Sequence, residues 1–431
     1  MPHALAAPYD AIGVGFGPSN LALAVALAEQ EEDDLRTLFL ERKPAFGWHQ
    51  GLLLEDATMQ VHFLKDLATL RNPTSSFSFV SYLHERGRLV DFINHKVFFP
   101  TRVEFHDYLE WAAARLADRV HYGTKVVDIR PVGAGGRVDF WDVIARGPRH
   151  EQTRTYRTRN VVVATGIVPV LPDGVIPSDR VWHSSELLQR LAEWSPPQAP
   201  RFAVVGAGQS AAEAAAHLHQ RFPHGEVYAI MSRYGYSVAD DSPFANRVFD
   251  PQSVDDFYQL SGSVQQDVVA YHANTNYSVV DADLIHELYR RQYQEKVRGR
   301  TRLHLMNMSL VSMVEPTSAG VRLAIDRNGT VTDLGVDAAV LATGYRPMDL
   351  AAVLKDAAAL CEFIGDLPRM DRDYRIRTPS HVGAGIYLLG GTEHSHGLSS
   401  SLLSMVAVRA GEVADSITAD VRASRARRAV D

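Results

Sequence analysis

The chain has 431 residues, 46% hydrophobic and 22% charged, with a net charge of −7, 30 glycines, 21 prolines and a single cysteine. At roughly 100–200 residues per domain this length implies two or three domains, and the near-average composition excludes a disordered or fibrous chain. The lone Cys361 excludes an intramolecular disulfide and a thiolate metal cluster, and the mild acidity offers no footprint for nucleic acid.

In chain order, Met1–Pro8 is Ala/Pro-rich and expected to fray. Tyr9–Val14 reads as a short buried strand running into glycines, Ser19–Glu29 as an Ala/Leu helix and Leu38–Glu41 as a second strand. Within that helix, Leu21–Ala28 is the longest early apolar stretch, well short of the roughly 18 residues a membrane span needs. It follows a Gly-rich turn rather than a basic segment, so neither a signal peptide nor a membrane anchor is expected, and the location expected is cytoplasmic. Lys125–Phe140 alternates like antiparallel strands, and Asn160–Ala164 is a β-branched run suited to burial on both faces. Trp194–Pro200 reads as a linker. A second strand–turn–helix–strand unit follows, with Arg201–Val205, Gly206–Gly208, Ser210–Gln220 and Glu226–Met231. A polar, aromatic-rich segment spans Ser237–Asp283, after which strands are expected at Ala338–Ala342 and Gly385–Leu389 and a helix at about Ser400–Ile417.

Each of the two units carries a phosphate-binding signature. In Gly13-Val14-Gly15-Phe16-Gly17-Pro18-Ser19-Asn20, Gly13 is expected to make the tight turn. Gly15 would then let the backbone approach a pyrophosphate, with Pro18 in the third-glycine position. Glu41 closes the second strand 28 residues after Gly13, where a carboxylate can take both ribose hydroxyls of an unphosphorylated adenosine. The second cluster, Gly206-Ala207-Gly208-Gln209-Ser210-Ala211, matches GxGxxA, and its second strand ends at Met231-Ser232-Arg233 with no carboxylate. A hydroxyl and a guanidinium at that place suit a 2′-phosphate, so NADPH is expected there. Two echoing segments, Ala164-Thr165-Gly166 and Ala342-Thr343-Gly344, mark the turns by which two-dinucleotide flavoproteins pass between domains. Disulfide-reductase chemistry needs two cysteines and is excluded, which leaves oxygen chemistry.

The sequence resembles the flavin-dependent N-hydroxylating monooxygenases of siderophore biosynthesis, nearest to the L-ornithine N(5)-monooxygenases. The resemblance rests on Gly13–Leu21, Trp48-His49-Gln50-Gly51, Met59-Gln60-Val61, Phe63-Leu64-Lys65-Asp66-Leu67, Arg71-Asn72-Pro73, Asp240-Asp241-Ser242-Pro243-Phe244, Asn274-Thr275-Asn276-Tyr277 and His396–Ser404. The FxGxxxHxxxW fingerprint of ketone-oxidising relatives is absent, with only Val181-Trp182-His183-Ser184 left of that region.

The resemblance implies FAD contacts at Gly13, Gly15, Gly17, Pro18, Ser19, Glu41, Arg42, Lys43, Trp48, His49, Gln60, Val126, Ser401, Leu402 and Leu403, the last three opening the final helix. It implies NADPH contacts at Ala207, Gly208, Gln209 and Ser210, joined by Ser232 and Arg233, with Asn246 and Asn276 near both ligands. For L-ornithine it implies Lys65, Asn246, Arg247, Val248, Phe249, Asn276 and Ser404. The implied reaction is N-hydroxylation of the ornithine side-chain amine through a C4a-hydroperoxyflavin, with O₂ as co-substrate and no catalytic acid–base pair. His394 and His396 with Glu393 invite a metal reading, but no third ligand motif accompanies them and no metal is expected.

The expected architecture is α/β, with two Rossmann-like dinucleotide-binding domains. The FAD domain would be discontinuous, over 1–195 and 337–431, and the NADPH domain would span 196–336. A small, mostly helical substrate-binding portion is expected near 237–290. A homo-oligomer is the implied assembly, tetramers being frequent among relatives. Rival readings are a lysine N(6)-monooxygenase, one methylene away in substrate, an uncoupled NADPH oxidase, and a non-catalytic flavin-binding regulator.

Overall fold

The computed structural model describes residues 7–30, 35–147 and 153–430, with side chains to 427. Most of the segment expected to fray lies outside the described residues.

The first sheet is built from β1 (Tyr9–Val14), β2 (Thr37–Leu40), β3 (Val120–His121), β4 (Lys125–Val132), β5 (Phe140–Arg146) and β6 (Thr153–Val163). Its order is β3-β2-β1-β6-β5-β4, with β1, β2 and β3 parallel and β4–β5–β6 an antiparallel meander. Helix α1 (Pro18–Ala28) is buried from Asn20 through Leu27, because it lies between this sheet and the long C-terminal helix. That explains a helix apolar on every face rather than along one stripe. Between β2 and β3 the chain forms α2 (Phe79–Glu85), α3 (Leu89–His95) and α4 (Arg102–Ala114).

From β6 the chain exits through Ala164-Thr165-Gly166 into β7 (Ile167–Pro169), then β8 (Val181–His183) and α5 (Leu187–Glu193). The second sheet comprises β8, β9 (Arg201–Val205), β10 (Glu226–Ile230), β11 (Leu303–Met306) and β15 (Ala338–Leu341), all parallel in the order β11-β10-β9-β15-β8. Alternate residues of its strands face opposite layers. Phe202, Val204 and Val340 pack toward α6 (Gln209–Arg221), whereas Ala203, Ala339 and Leu341 pack against the antiparallel sheet of β12 (Leu310–Thr317), β13 (Gly320–Arg327) and β14 (Thr330–Val336). With both faces covered, the strands read as unbroken apolar runs.

The return passes through Ala342-Thr343-Gly344 into β16 (Tyr345–Pro347), which pairs antiparallel with β7, Tyr345 opposite Pro169. After α10 (Leu350–Leu354) and a hairpin of β17 (Phe363–Ile364) and β18 (Leu367–Pro368), β19 (Gly385–Leu388) rejoins the first sheet beside β6.

This topology revises the boundaries drawn from the sequence. Strands β8 and β15, expected on the FAD side or at its border, both belong to the second sheet. The chain therefore changes sheets near residues 166 and 345, and Trp194–Pro200 is a connection within the second unit. Proline-rich composition signals an irregular segment, not which sheet the flanking strands join. The segment 237–290 contains α7 (Pro251–Tyr258), α8 (Gly262–Tyr271) and the start of α9 (Ala282–Val297), which packs on α6.

One buried ion pair crosses between the two halves. Arg102, at the start of α4, donates from both terminal nitrogens to Glu213 of α6 at 2.8 and 2.7 Å, and to the carbonyl of Leu52 at 3.0 Å. Removing one partner of such a pair strands the other charge. Glu213→Ala is expected to lower unfolding stability by about 3–5 kcal/mol, read as an earlier urea transition, whereas an Arg102→Met/Glu213→Leu double variant should recover much of it.

Candidate functional site

The first glycine turn does not sit where the spacing put it. β1 runs through Gly13 to Val14, paired with Leu40 and Val163, so the turn falls at Gly15, which has φ +87°. Gly13 is required for packing instead, since a Cβ there would lie 2.2 Å from the Phe39 ring. In the second unit the turn falls at Gly206 and α6 is capped by Gly208, which makes Gly15 and Gly17 the matching pair in the first. The third position is then Asn20, whose Nδ2 donates to the carbonyl of Gly15 at 2.7 Å.

Both helices begin without a side-chain cap, and a Cβ on Gly17 would meet nothing within 4 Å. Free N–H groups at an open helix start are what a pyrophosphate needs. Glu41, only 8% exposed, accepts from the Phe16 N–H at 2.7 Å and the Lys43 N–H at 2.8 Å. Each carboxylate oxygen retains acceptor capacity for a ribose hydroxyl. Backbone bonds from Glu41 to His121 and from Thr124 back to Glu41 bring the Val126 strand alongside. The residues present therefore fit a dinucleotide at the first turn.

Arg42 and Lys43 are exposed, and the Lys43 ammonium donates to the carbonyl of Gly47 at 2.8 Å. The Trp48 ring meets His49 edge-on at 4.6 Å, and His49 adopts a left-handed backbone with φ 50°. The residue as a whole is exposed, but its imidazole is crowded by protein atoms. Burial, then the charges of Arg102 and Lys43, lower its pKa to about 4.

The strap from Asn276 to Asp281 joins the pieces. A Cβ on Gly208 would lie 3.4 Å from the Ser278 Cα, and Arg233 donates to the Ser278 carbonyl at 2.9 Å. Asp281 accepts from Gln209 at 3.1 Å and from Gln60 at 3.5 Å, while its own N–H donates to Gln209 Oε1 at 2.9 Å. Burial raises the Asp281 pKa. Gln209 also donates to Glu213 at 3.0 Å, so both ends of its amide are engaged by protein. Ala207 and Ser210 flank the Gly208 turn on the same rim, and Ser232 stands exposed beside Arg233.

Further along the strap, the Tyr277 hydroxyl donates to Glu393 of α11 (Glu393–His396), whose carboxyl pKa burial raises. Ser401 accepts from the Gly391 N–H at 3.1 Å. The turn at Ala245–Phe249, which carries Asn246, Arg247, Val248 and Phe249, packs on the turn at Leu398–Ser401. A cavity of about 210 Å³ opens there, lined by Val248, Phe257, Val268 and Leu398 among others. Asn246 donates to the Asp241 carbonyl at 2.7 Å, and the exposed Arg247 faces Asp250 at 3.5 Å.

One expectation at the end of the chain changes. Ser401, Leu402 and Leu403 do not open the last helix: Leu402 is extended between two short 3₁₀ turns, and α12 (Val406–Val430) begins three residues later. Ser404 is buried with its hydroxyl unpartnered, as are the hydroxyls of Ser399 and Tyr345. His394 and His396 direct Nε2 at the carbonyls of Pro368 and Arg372, at 2.9 and 3.1 Å.

Lys65 has no carboxylate partner among the described residues. Its neighbour Asp66 is occupied, accepting from Ala68, Phe79 and twice from Thr69 at 2.6–2.9 Å. No hydrogen bond joins Lys65 to Asn246 or Asn276. Missed from the sequence were Arg102, Tyr277, Asp281 and Glu213. Only Glu213 carried a local signal, lying one helical turn beyond Gln209.

Two crossed dinucleotide-type sheets, each with an open glycine turn and joined by a ribbon, define the two-dinucleotide flavoprotein class. The chain belongs to the L-lysine 6-monooxygenase/L-ornithine 5-monooxygenase family, whose sequence model matches residues 7–347. It is 45% identical over 403 residues to an L-ornithine N(5)-monooxygenase of Burkholderia cepacia, covering 90% of each chain. An ornithine N-hydroxylase of Kutzneria sp. 744, whose structure is described with reduced FAD, NADP⁺ and L-ornithine, matches at 49% identity and a TM-score of 0.92, over 95% of this chain and 99% of that one. An L-lysine 6-monooxygenase of Pseudomonas syringae matches at 33% identity and a TM-score of 0.84, over 96% and 100%.

His396 is fully buried, and burial lowers its pKa to about 4. Between pH 6.5 and 4 the unfolded chain binds the proton that the folded one refuses, so stability is complete above pH 6.5 and falls on acidification. The contribution is on the order of 3 kcal/mol. Urea titrations at pH 7 and 5 should show about 2 kcal/mol of this loss, the rest falling as the pH drops to 4 and below, and His396→Asn should flatten it.

Proposed function

We propose that the chain is an FAD- and NADPH-dependent monooxygenase that converts L-ornithine to N(5)-hydroxyornithine. The carrying observation is convergence: one strap, Asn276–Asp281, reaches the second glycine turn, Gln60 of the first unit and, through Tyr277, the Glu393–Ser401 loop. A substrate held there would lie between two dinucleotides. The identity gradient, 49% to an ornithine enzyme against 33% to a lysine enzyme, favours the shorter amine.

FAD, once reduced by NADPH, supplies the oxygen activation, and the chain's residues bind, orient and enclose. Gly15, Gly17, Pro18 and Ser19 hold the FAD pyrophosphate at the start of α1, and Glu41 takes its ribose. Trp48, His49 and Gln60 line the ring side with Ser401, Leu402 and Leu403. Gly208 and Ser210 receive the NADPH pyrophosphate, and Ser232 and Arg233 its 2′-phosphate. Gln209 acts through its side-chain hold on Asp281 and Glu213. Lys65, charged and unpaired, takes the ornithine carboxylate with Asn246, while Asn276 and Ser404 serve the polar groups beside it. The neutral His49 adds no charge to repel the substrate ammonium. The buried hydroxyl of Ser404 offers a hydrogen bond that no protein group uses. The proposed setting is cytoplasmic and the assembly a homo-oligomer.

Purified protein supplied with FAD, NADPH and O₂ should form hydroxylamine from ornithine at least tenfold faster than from lysine. Equal rates would favour the lysine reading, and NADPH consumption without hydroxylamine would favour an oxidase. Lys65→Ala should raise the ornithine KM about ten- to a hundredfold, the worth of one charge-assisted hydrogen bond, and leave the NADPH KM near its original value.

Arg233 tests the second cofactor. Its guanidinium is exposed on the rim and tethered by one nitrogen to the Ser278 carbonyl, which leaves donors for a phosphate. Arg233→Ala is expected to cut kcat/KM for NADPH by tenfold or more and leave that for NADH unchanged, measured by steady-state oxidation of each.

A further inference from the structure

The turn from Ser399 to Ser404 carries proposed contacts to both flavin and substrate, yet its own structure is only two short 3₁₀ turns with Leu402 extended between them. What holds it is Arg409 of α12, a side chain only 2% exposed. One terminal nitrogen donates to the carbonyls of Ser399, at 3.4 Å, and Ser400, and the other to the carbonyl of Leu402 at 3.4 Å. Its Nε is buried without a partner.

Among the described residues no carboxylate forms an ion pair with this guanidinium, and Glu412 acts on it only through space. Glu412, nearly one helical turn further on, is engaged by both terminal nitrogens of Arg372 at 3.0 and 2.9 Å. A buried, unpaired cation costs several kcal/mol, and Arg409 also sits in the opening turns of α12, where the helix dipole disfavours positive charge. A guanidinium is the side chain with enough donors to tie three carbonyls at once, and it brings a full charge to the same place. The expected helix start at Ser401 would have put positive potential beside the flavin; the structure puts Arg409 behind the same turn instead.

Resting on the function proposed above, we infer that Arg409 is a positioning residue with an electrostatic duty. Its fork fixes the Ser399–Ser404 turn, and its charge favours the reduced, anionic state of the bound flavin over the oxidised one.

Full-length holoenzyme carrying Arg409→Met or Arg409→Lys separates the two duties. Thermal melting and FAD content establish that each variant is folded and loaded. The flavin midpoint potential and the ornithine KM and kcat are then read for each. Arg409→Met should weaken binding of reduced relative to oxidised FAD by about tenfold, which for a two-electron couple lowers the potential by about 30 mV. Arg409→Lys keeps the charge but cannot span three carbonyls, so the potential should stay at the wild-type value while the ornithine KM rises severalfold at similar kcat. A wild-type potential in loaded Arg409→Met overturns the inference. If that variant does not fold, Arg409→Lys decides: an unchanged KM, or a lowered potential, overturns it equally. A wild-type protein that takes up no flavin would defeat the proposed function instead, a separate result.

Discussion

A backbone contact made twice sets the geometry of this molecule. A methyl group on Gly15 would lie 2.6 Å from the carbonyl of Ala164, and one on Gly206 would lie 2.4 Å from the carbonyl of Ala342. In each half the nucleotide-type turn therefore rests against the strand end by which the chain leaves that sheet. The two exits then pair as β7 and β16, and Val170 and Met348 extend the ribbon by bonds to Gly344 and Gly166. The thin backbone at the glycines lets both turns, both exits and the crossing share one neighbourhood. The same glycines that open the two helix starts therefore also anchor the crossover.

A ribbon alone would leave the second unit free to swing. The Arg102–Glu213 pair and the Asp281 contacts add further links between the units. Both involve α6, the helix whose start forms the second glycine turn. Fixing α6 therefore fixes the direction in which that turn presents its N–H groups. Gln209 shows the consequence, since a residue in a cofactor motif spends its whole side chain on protein and contributes by holding the turn in place.

Much of this was legible in the sequence because local pattern and global fold agree. The strands at Tyr9–Val14 and Arg201–Val205 have the bounds that their apolar runs indicate. Legibility failed where one residue type serves two ends. Gly13 and Gly15 are both glycines in a glycine motif, but the first makes room for an aromatic ring and the second makes the turn. Spacing alone cannot separate those causes. The late start of α12 has a similar origin: Ser399–Ser404 lacks any strong helix breaker, and what holds it out of the helix is Arg409, which captures its carbonyls from further along. The Asp281 and Arg102 contacts were illegible in principle, since their partners lie 72 and 111 residues away in the chain.

The pair Lys65-Asp66 shows how folding decides between readings that sequence leaves equal. A lysine beside an aspartate would ordinarily suggest mutual neutralisation. Asp66 is 1% exposed and accepts four hydrogen bonds, from Ala68, Phe79 and the backbone and hydroxyl of Thr69. Its charge is dispersed into the turn that follows and into the first residue of α2. Burial still raises its pKa, because four donors do not fully replace water around a buried carboxylate. The adjacent ammonium is left with no internal acid to satisfy it, on a loop whose shape Asp66 has fixed. A cation prepared in that way, without a carboxylate partner among the described residues, is suited to an anion from outside the chain. The carboxylate of an amino acid is the one the proposed reaction brings.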